Sequence, residues 1–366
     1  MTARHIIYTF LYIYESRHNE CLEDQVIIKS HDMSATFKKI NEILKTWRTG
    51  KPFGAVSACL GCAICLAISF LLLTPELSSA HGIAGNRFFP TTFTVDDPFI
   101  GDEFSVLVHH SKQSGDPFSR ETDINIDYAK RIVPNFGLEF HEAYLHQKFS
   151  DGTSAHGWDN LGVGAKWQFL TNAPHELIMS VGTDFDIGGT GAHQVSESFS
   201  TITPALFFGK GMGDLPTSVN FLRPFAVTGV IGTGFPTRSK NVIFNPDTGD
   251  SDIEHNPKTF NWGFTIQYSL MYLQQHVKDI GLPSPFKRMI LVVEFPMQTN
   301  LSQDSKGLTT GTINPGIVWA GKSVELGIAA EFPVNRVSGK TVGIMGLIHL
   351  FLDDLFPKSI GRPIFP

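Results

Sequence analysis

Beyond Ala80 the chain has no cysteine, and no apolar run long enough to cross a bilayer as a helix. All four cysteines, Cys21, Cys59, Cys62 and Cys65, come earlier, so no disulfide can staple the remaining 286 residues (81–366). Charged residues make up only 17%, the net charge is -6, and mean hydropathy is +0.00. That balance leaves no basic footprint for nucleic acid and does not describe a helical membrane protein. The chain is rich instead in Gly (34) and Phe (30), residues suited to tight turns and to a lipid-facing wall.

The long apolar run lies early, at 55–73 (AVSACLGCAICLAISFLLL). Lys38, Lys39, Lys45, Arg48 and Lys51 precede it, and Ser78 and Ala80 follow. Basic, apolar and small-residue regions in that order read as a Sec-type export signal cut after Ala80. Its length also permits a transmembrane anchor. Cys59, Cys62 and Cys65 have metal-like spacing, but they lie inside the apolar run with no fourth cysteine nearby, so they read as signal core. Residues 1–32 fit neither a signal nor a strand, and translation is expected to begin at Met33. The expected organisation is an extension over 1–32, a signal peptide over 33–80, a periplasmic N-terminal segment over 81–102 and a barrel over 103–366.

After Ala80 no stretch keeps a helical period. Segments of about ten residues alternate apolar and polar instead, the mark of a membrane strand. In 260–272, Phe260, Trp262, Phe264, Ile266, Tyr268, Leu270 and Tyr272 share one face, while Asn261, Gly263, Thr265, Gln267 and Ser269 share the other. The pattern predicts an all-β fold: an antiparallel transmembrane β-barrel of about twelve strands. They are expected over 103–110, 123–133, 136–148, 158–170, 176–187, 198–209, 221–234, 259–273, 288–296, 309–320, 323–333 and 341–351. Connections broadly alternate long and short, except 274–287, which is long on the short side and is expected to hold a short helix. Trp158, Trp167, Trp262, Trp319, Tyr268 and Tyr272 are the candidates for the aromatic girdles. A soluble sandwich or lipocalin-like barrel is the competing architecture. Strand length and aromatic faces argue against it.

Ionised side chains are costly on the lipid face, so the polar face must line the lumen. The lumen candidates are Asp127, Arg131, Glu139, His141, Lys166, Gln168, Asp184, Asp186, Gln267, Glu294, Glu325 and Glu331. Carboxylates outnumber cations among them, which favours cations or neutral solutes over anions. Twelve strands enclose a narrow or plugged lumen, not a wide pore. His109 and His110 are adjacent, so they point to opposite faces and share no ligand site; Glu139 and His141 share a face and could converge with His349. No Gly-x-Ser-x-Gly elbow is present and no nucleotide loop leads into a helix. No catalytic residue, cofactor or metal is therefore expected.

The start His81-Gly82-Ile83-Ala84-Gly85-Asn86-Arg87-Phe88-Phe89-Pro90, followed by Asp96-Asp97-Pro98, precedes a second run. That run is Gly157-Trp158-Asp159-Asn160-Leu161-Gly162-Val163-Gly164-Ala165-Lys166-Trp167. It resembles the Gly-x-x-Asp-Leu-x-x-x-x-Lys-Tyr/Trp strand of outer-membrane proteins grouped with phenol meta-pathway degradation genes. Arg223-Pro224-Phe225 before a Gly-rich strand is similar to the same group. The resemblance implies a Gram-negative outer-membrane channel associated with uptake of aromatic or hydrophobic compounds, with outer-membrane lipid and a small solute as partners. The alternative is a closed structural barrel whose outer loops bind a ligand without transport.

Overall fold

The computed structural model describes residues 82–113, 119–244, 251–302 and 305–365. The extension over 1–32 and the signal over 33–80 lie outside the described residues. Twelve staves form the wall: β1 (Glu103–Gln113), β2 (Ser119–Val133), β3 (Phe136–Phe149), β4 (Gly162–Asn172), β5 (Leu177–Asp186), β6 (Thr201–Gly211), β7 (Phe225–Pro236), β8 (Thr259–Ser269), β9 (Met289–Asn300), β10 (Thr309–Ala320), β11 (Val324–Pro333) and β12 (Gly343–Phe351). Each pairs antiparallel with its chain neighbours, and β12 returns to β1 through Ile344↔His110 to Phe351↔Glu103. The sheet is closed, so it presents no unpaired edge. The expected all-antiparallel barrel of twelve strands is what the chain forms. One stave is broken: Ser154–Trp158 pairs with the far half of β3 and β4 with the near half.

The two faces follow from what each touches. In β8, Asn261, Gly263, Thr265, Gln267 and Ser269 point into the lumen while Trp262, Phe264 and Ile266 face out, Ile266 at 38% exposure. Outward aromatics gather near both ends of the wall. Trp158 packs edge-on to Tyr144 at 5.3 Å near the long-loop end, and Trp167 lies 5.9 Å from Phe169 near the other. Tight connections, Pro134-Asn135 and 321–323, mark that second end, which by loop length is the periplasmic one.

The expected strand over 259–273 is too long. β8 stops at Ser269, whose hydroxyl accepts the Tyr272 N–H at 3.0 Å and caps a helical turn. Helical turns then run to Val277. The coil turns Tyr272 inward, to 3% exposure, so it is no girdle residue.

The larger difference concerns 81–102, expected in the periplasm. A two-rung hairpin, Ile83–Ala84 with Arg87–Phe88, sits at the periplasmic end, and the chain then enters the lumen. Phe93 joins one buried apolar cluster with Leu107, Ile290, Val292, Val318, Ala329, Met345 and Leu347. Phe89 and Phe99 pack with Ala84, Ile178 and Ala226. The reason is that several inward positions are apolar. Ile290, Val292 and Val318 would otherwise face water, and burying one Phe side chain contributes roughly 1.5–3 kcal/mol.

Candidate functional site

The N-terminal segment leaves a lumen cavity of about 490 Å³. Asp96, Asp97, Glu103, Asp127, Glu139, Asp184 and Asp186 line it, with Lys166, His141 and His349 as the basic groups. Alternation on β1 to β5 and on β12 aims the wall side chains inward, and the Asp96-Asp97-Pro98 stretch supplies two of the seven carboxylates from inside.

Lys166 is the centre of this cluster. Its Nζ lies 2.9 Å from Glu139 Oε1 and 3.0 Å from Asp96 Oδ1, and it donates to the Asp97 carbonyl at 3.1 Å. The same ammonium sits 4.6 Å over the Phe207 ring. Gly164 and Gly162 are its neighbours on the lumen face, and a Cβ at Gly162 would fall 1.6 Å from His141 Nε2. That close approach is why the strand reads Gly-x-Gly-x-Lys. His141 Nε2 faces Asp186 Oδ1 at 3.3 Å, and Ser105 Oγ meets His349 Nδ1 at 2.7 Å.

The sequence-predicted residues divide into three groups. Asp127, Glu139, His141, Lys166, Asp184 and Asp186 line the one cavity, and His349 joins them there. Glu294, Glu325 and Gln267 are fully buried deeper in the lumen. Glu294 accepts the N–H groups of Phe93 (2.6 Å) and Thr94 (2.8 Å) and the Thr94 hydroxyl (2.7 Å). Glu325 accepts the Thr91 N–H at 2.9 Å, and Gln267 donates to Thr228 at 3.2 Å. These two carboxylates hold the inserted segment. The third group lies elsewhere. Arg131 binds Asp102 (2.8 Å) and Asp353 (3.1 Å). Glu331 faces His109 at 3.4 Å. Gln168 stands at a bulge between Gln168 and Leu170, where its amide donates to Thr171 at 2.9 Å.

Three acids and a serine of the cavity are missing from the lumen candidates: Asp96, Asp97, Glu103 and Ser105. Glu103, Ser105, Leu107 and His109 do alternate against Phe104, Val106 and Val108, and only the inward leucine obscures the pattern.

A second cluster fastens the segment to the periplasmic end. Arg87 is fully buried; its Nε lies 3.1 Å from Glu176 Oε2, and its terminal nitrogens donate to the carbonyls of Pro224 (2.9 Å) and Arg223 (2.5 Å). Its guanidinium carbon lies 3.7 Å over the Tyr272 ring, whose hydroxyl donates to Glu176 Oε1 at 2.8 Å. Glu176, in a left-handed conformation (φ 48), also accepts the Gly213 N–H at 3.0 Å. Among the described residues no group of three or more His, Cys, Asp or Glu side chains is arranged to hold a metal ion.

No family model matches the chain, and no curated protein matches it. The family resemblance therefore rests on the residues quoted for it. Among solved structures the chain is similar to the COG4313 outer membrane channel from Pseudomonas putida F1, at 12% identity over 72% of this chain and 99% of that one, TM-score 0.48. It is also similar to the KdgM porin (12% identity, 67% and 98%, TM-score 0.38). A third is the translocator domain of the autotransporter NalP from Neisseria meningitidis (10% identity, 68% and 86%, TM-score 0.38). At such identities these likenesses concern shape and carry nothing about a solute.

Proposed function

We propose that this barrel is a narrow outer-membrane channel for small cationic or neutral solutes, with its own N-terminal segment as a plug. The observation that carries the reading is the lumen cavity, where seven carboxylates surround one lysine. A cleft of one charge sign between low-dielectric walls concentrates counter-ions, so it admits cations and repels anions. The inserted segment keeps the passage narrow. We assign no catalytic residue.

The test is conductance of the purified, membrane-assembled protein in a planar bilayer under a KCl gradient. Small steps with a reversal potential favouring potassium are expected. Silence from correctly folded barrels, or chloride selectivity, would refute the reading. The closed-barrel alternative draws on one observation, the apolar packing of Phe93 across the lumen. It gains if silence persists after the segment is loosened by Glu294→Gln. We further propose that residues 33–80 act as a Sec-type signal; N-terminal sequencing of the membrane form should start at His81, and an uncut form would overturn this.

A further inference from the structure

The outward face of the wall is not uniform at its outer rim. Register fixes which residues share it. Lys112 stands opposite Arg120, Arg120 opposite Lys148, and Lys148 opposite Ser154. One rung lower, His110, Thr122, His146 and His156 form a second row. The next row is Val108, Ile124, Tyr144 and Trp158. Side chains two apart share a face, and Tyr144 and Trp158 belong to the lipid-facing aromatics, so all three rows point outward.

Lys112, Arg120 and Lys148 are exposed, as are His110, His146 and His156. The His146 and His156 rings lie 6.1 Å apart, and His110 Nδ1 is 2.8 Å from the Thr122 hydroxyl. Nearby acids do not neutralise these rows. Glu121 and Asp123 belong to the inward alternation, where Glu121 accepts from Gln147 and Asp123 pairs with His109 at 3.1 Å. Asp151, in the turn after β3, accepts the N–H and the hydroxyl of Thr153. Glu142 points outward but lies below the aromatic row, opposite Ile126. On other staves the last outward residues are apolar and exposed, as at Phe185, Ile202, Phe235 and Phe332, with Lys258 over the Phe235 ring. Positive charge on the outer wall is therefore concentrated on β1, β2, β3 and the strand Ser154–Trp158.

Height decides what this face meets. Aromatic girdles mark the boundary between acyl chains and headgroups. A strand rises about 3.3 Å per residue and tilts by about 40°, so the histidine row lies roughly 5 Å above the aromatic row and the Lys-Arg-Lys row roughly 10 Å above it. A headgroup layer is about 5–7 Å deep, and long cationic stems can bend back toward it. The cations thus stand at the phosphates of the outer leaflet, and the apolar rows beneath them face acyl chains. Lys112 and Lys148 are two strand spacings apart, about 10 Å. That span is wider than one phosphate covers.

We propose that this face binds a lipid of the outer leaflet whose headgroup carries two phosphates on a sugar-sized spacer. The phosphates lie on Lys112, Arg120 and Lys148, and the acyl chains run over Tyr144 and Trp158. Arg120, in the middle, can take a phosphate on two nitrogens, while the lysines flank it as point charges. The site stands whether or not the lumen conducts.

The experiment titrates the purified full chain, folded in neutral detergent, with lipid A bearing two phosphates, and reads lipid adducts by native mass spectrometry. Phosphate-free lipid A and inorganic phosphate are the comparison probes. Lys112→Gln, Arg120→Gln and Lys148→Gln are made singly and together. Lys258→Gln with Lys278→Gln and Lys287→Gln removes the same charge at exposed positions away from the face. Heat-modifiable gel migration checks closure of each variant. Binding of lipid A is expected to weaken about fivefold with each substitution on the face and on the order of a hundredfold with all three, and to be unchanged in the control variant. Phosphate-free lipid A should bind on the order of a hundredfold more weakly than lipid A. No adduct on the parent chain, equal binding of the two lipids, or parental binding by the closed triple variant overturns the site. An equal loss in the control variant also overturns it, because net charge alone then explains the effect. Inorganic phosphate that displaces lipid A at equal concentration overturns the lipid assignment in favour of a free-anion site.

Discussion

Lys166→Met is the substitution on which the acidic-cavity reading stands or falls. Methionine keeps most of the apolar stem and removes only the charge. The wild-type side chain is 4% exposed, while its partners are wetter, Glu139 at 24% and Asp96 at 47%. Removing one member of a fully buried ion pair costs about 3–5 kcal/mol, because the other charge is left stranded. An exposed pair contributes at most about 1 kcal/mol, which sets the Asp96 share. Glu139 lies between these limits, so a loss of roughly 2–3 kcal/mol is expected overall. Urea unfolding in lipid should show it as a lowered midpoint with an unchanged slope. Adding Glu139→Gln removes the stranded carboxylate, so the double variant should recover part of the loss, with a coupling of about 1–2 kcal/mol. The same substitution removes a positive charge from the cavity and should raise cation selectivity in the bilayer. Strictly additive losses in the cycle, or a shift toward anions, would refute the reasoning.

Two other perturbations address the periplasmic end. Arg87→Met leaves Glu176 buried without its cation and should cost about 3–5 kcal/mol; chymotrypsin should then cut near Phe88-Phe89, and continued protection would show that the clamp does not hold the segment. Burial pushes the Asp353 carboxyl up to about 7 against the pull of Arg131. The folded state therefore holds that proton more tightly than the unfolded chain. Its contribution is full below about 4 and is lost as pH rises through about 7. Asp353→Asn should flatten stability between pH 5 and 8, and a variant with the wild-type slope would count against this assignment.

Much of the wall was legible because lipid and water impose opposite demands on alternate residues. β8 shows this from Thr259 to Ser269. The period then misled, since Leu270 and Tyr272 continue it in sequence although the Ser269 cap has already turned the chain. Gln168 keeps the register of Lys166 and pairs with the inward Ser180; the bulge follows it, before Leu170, and one extra residue leaves no trace in an alternating pattern. The inserted segment was the main omission. Its signal lies in Met289-Ile290-Leu291-Val292-Val293, a run apolar on both faces. A strand oily on both sides touches lipid outside and something apolar within. The cavity acids on β2 to β5 were readable because they belong to regular strands; Asp96 and Asp97 were not, because their place in the lumen is set by contacts 69 to 234 residues away along the chain.

The packing of Phe93 bears on how the barrel is made. Empty, the lumen would present Ile290, Val292, Val318, Met345 and Leu347 to water, and Glu294 and Glu325 would lose the backbone donors that solvate them. β1 follows the inserted segment directly and is also the strand that receives β12. Closing the ring and filling it therefore concern the same stretch of chain: the pairing that joins the two ends of the sheet, β12 on β1, encloses residues that are continuous with β1. The segment is to the staves what a mandrel is to a coil, the internal form around which the wall acquires its shape.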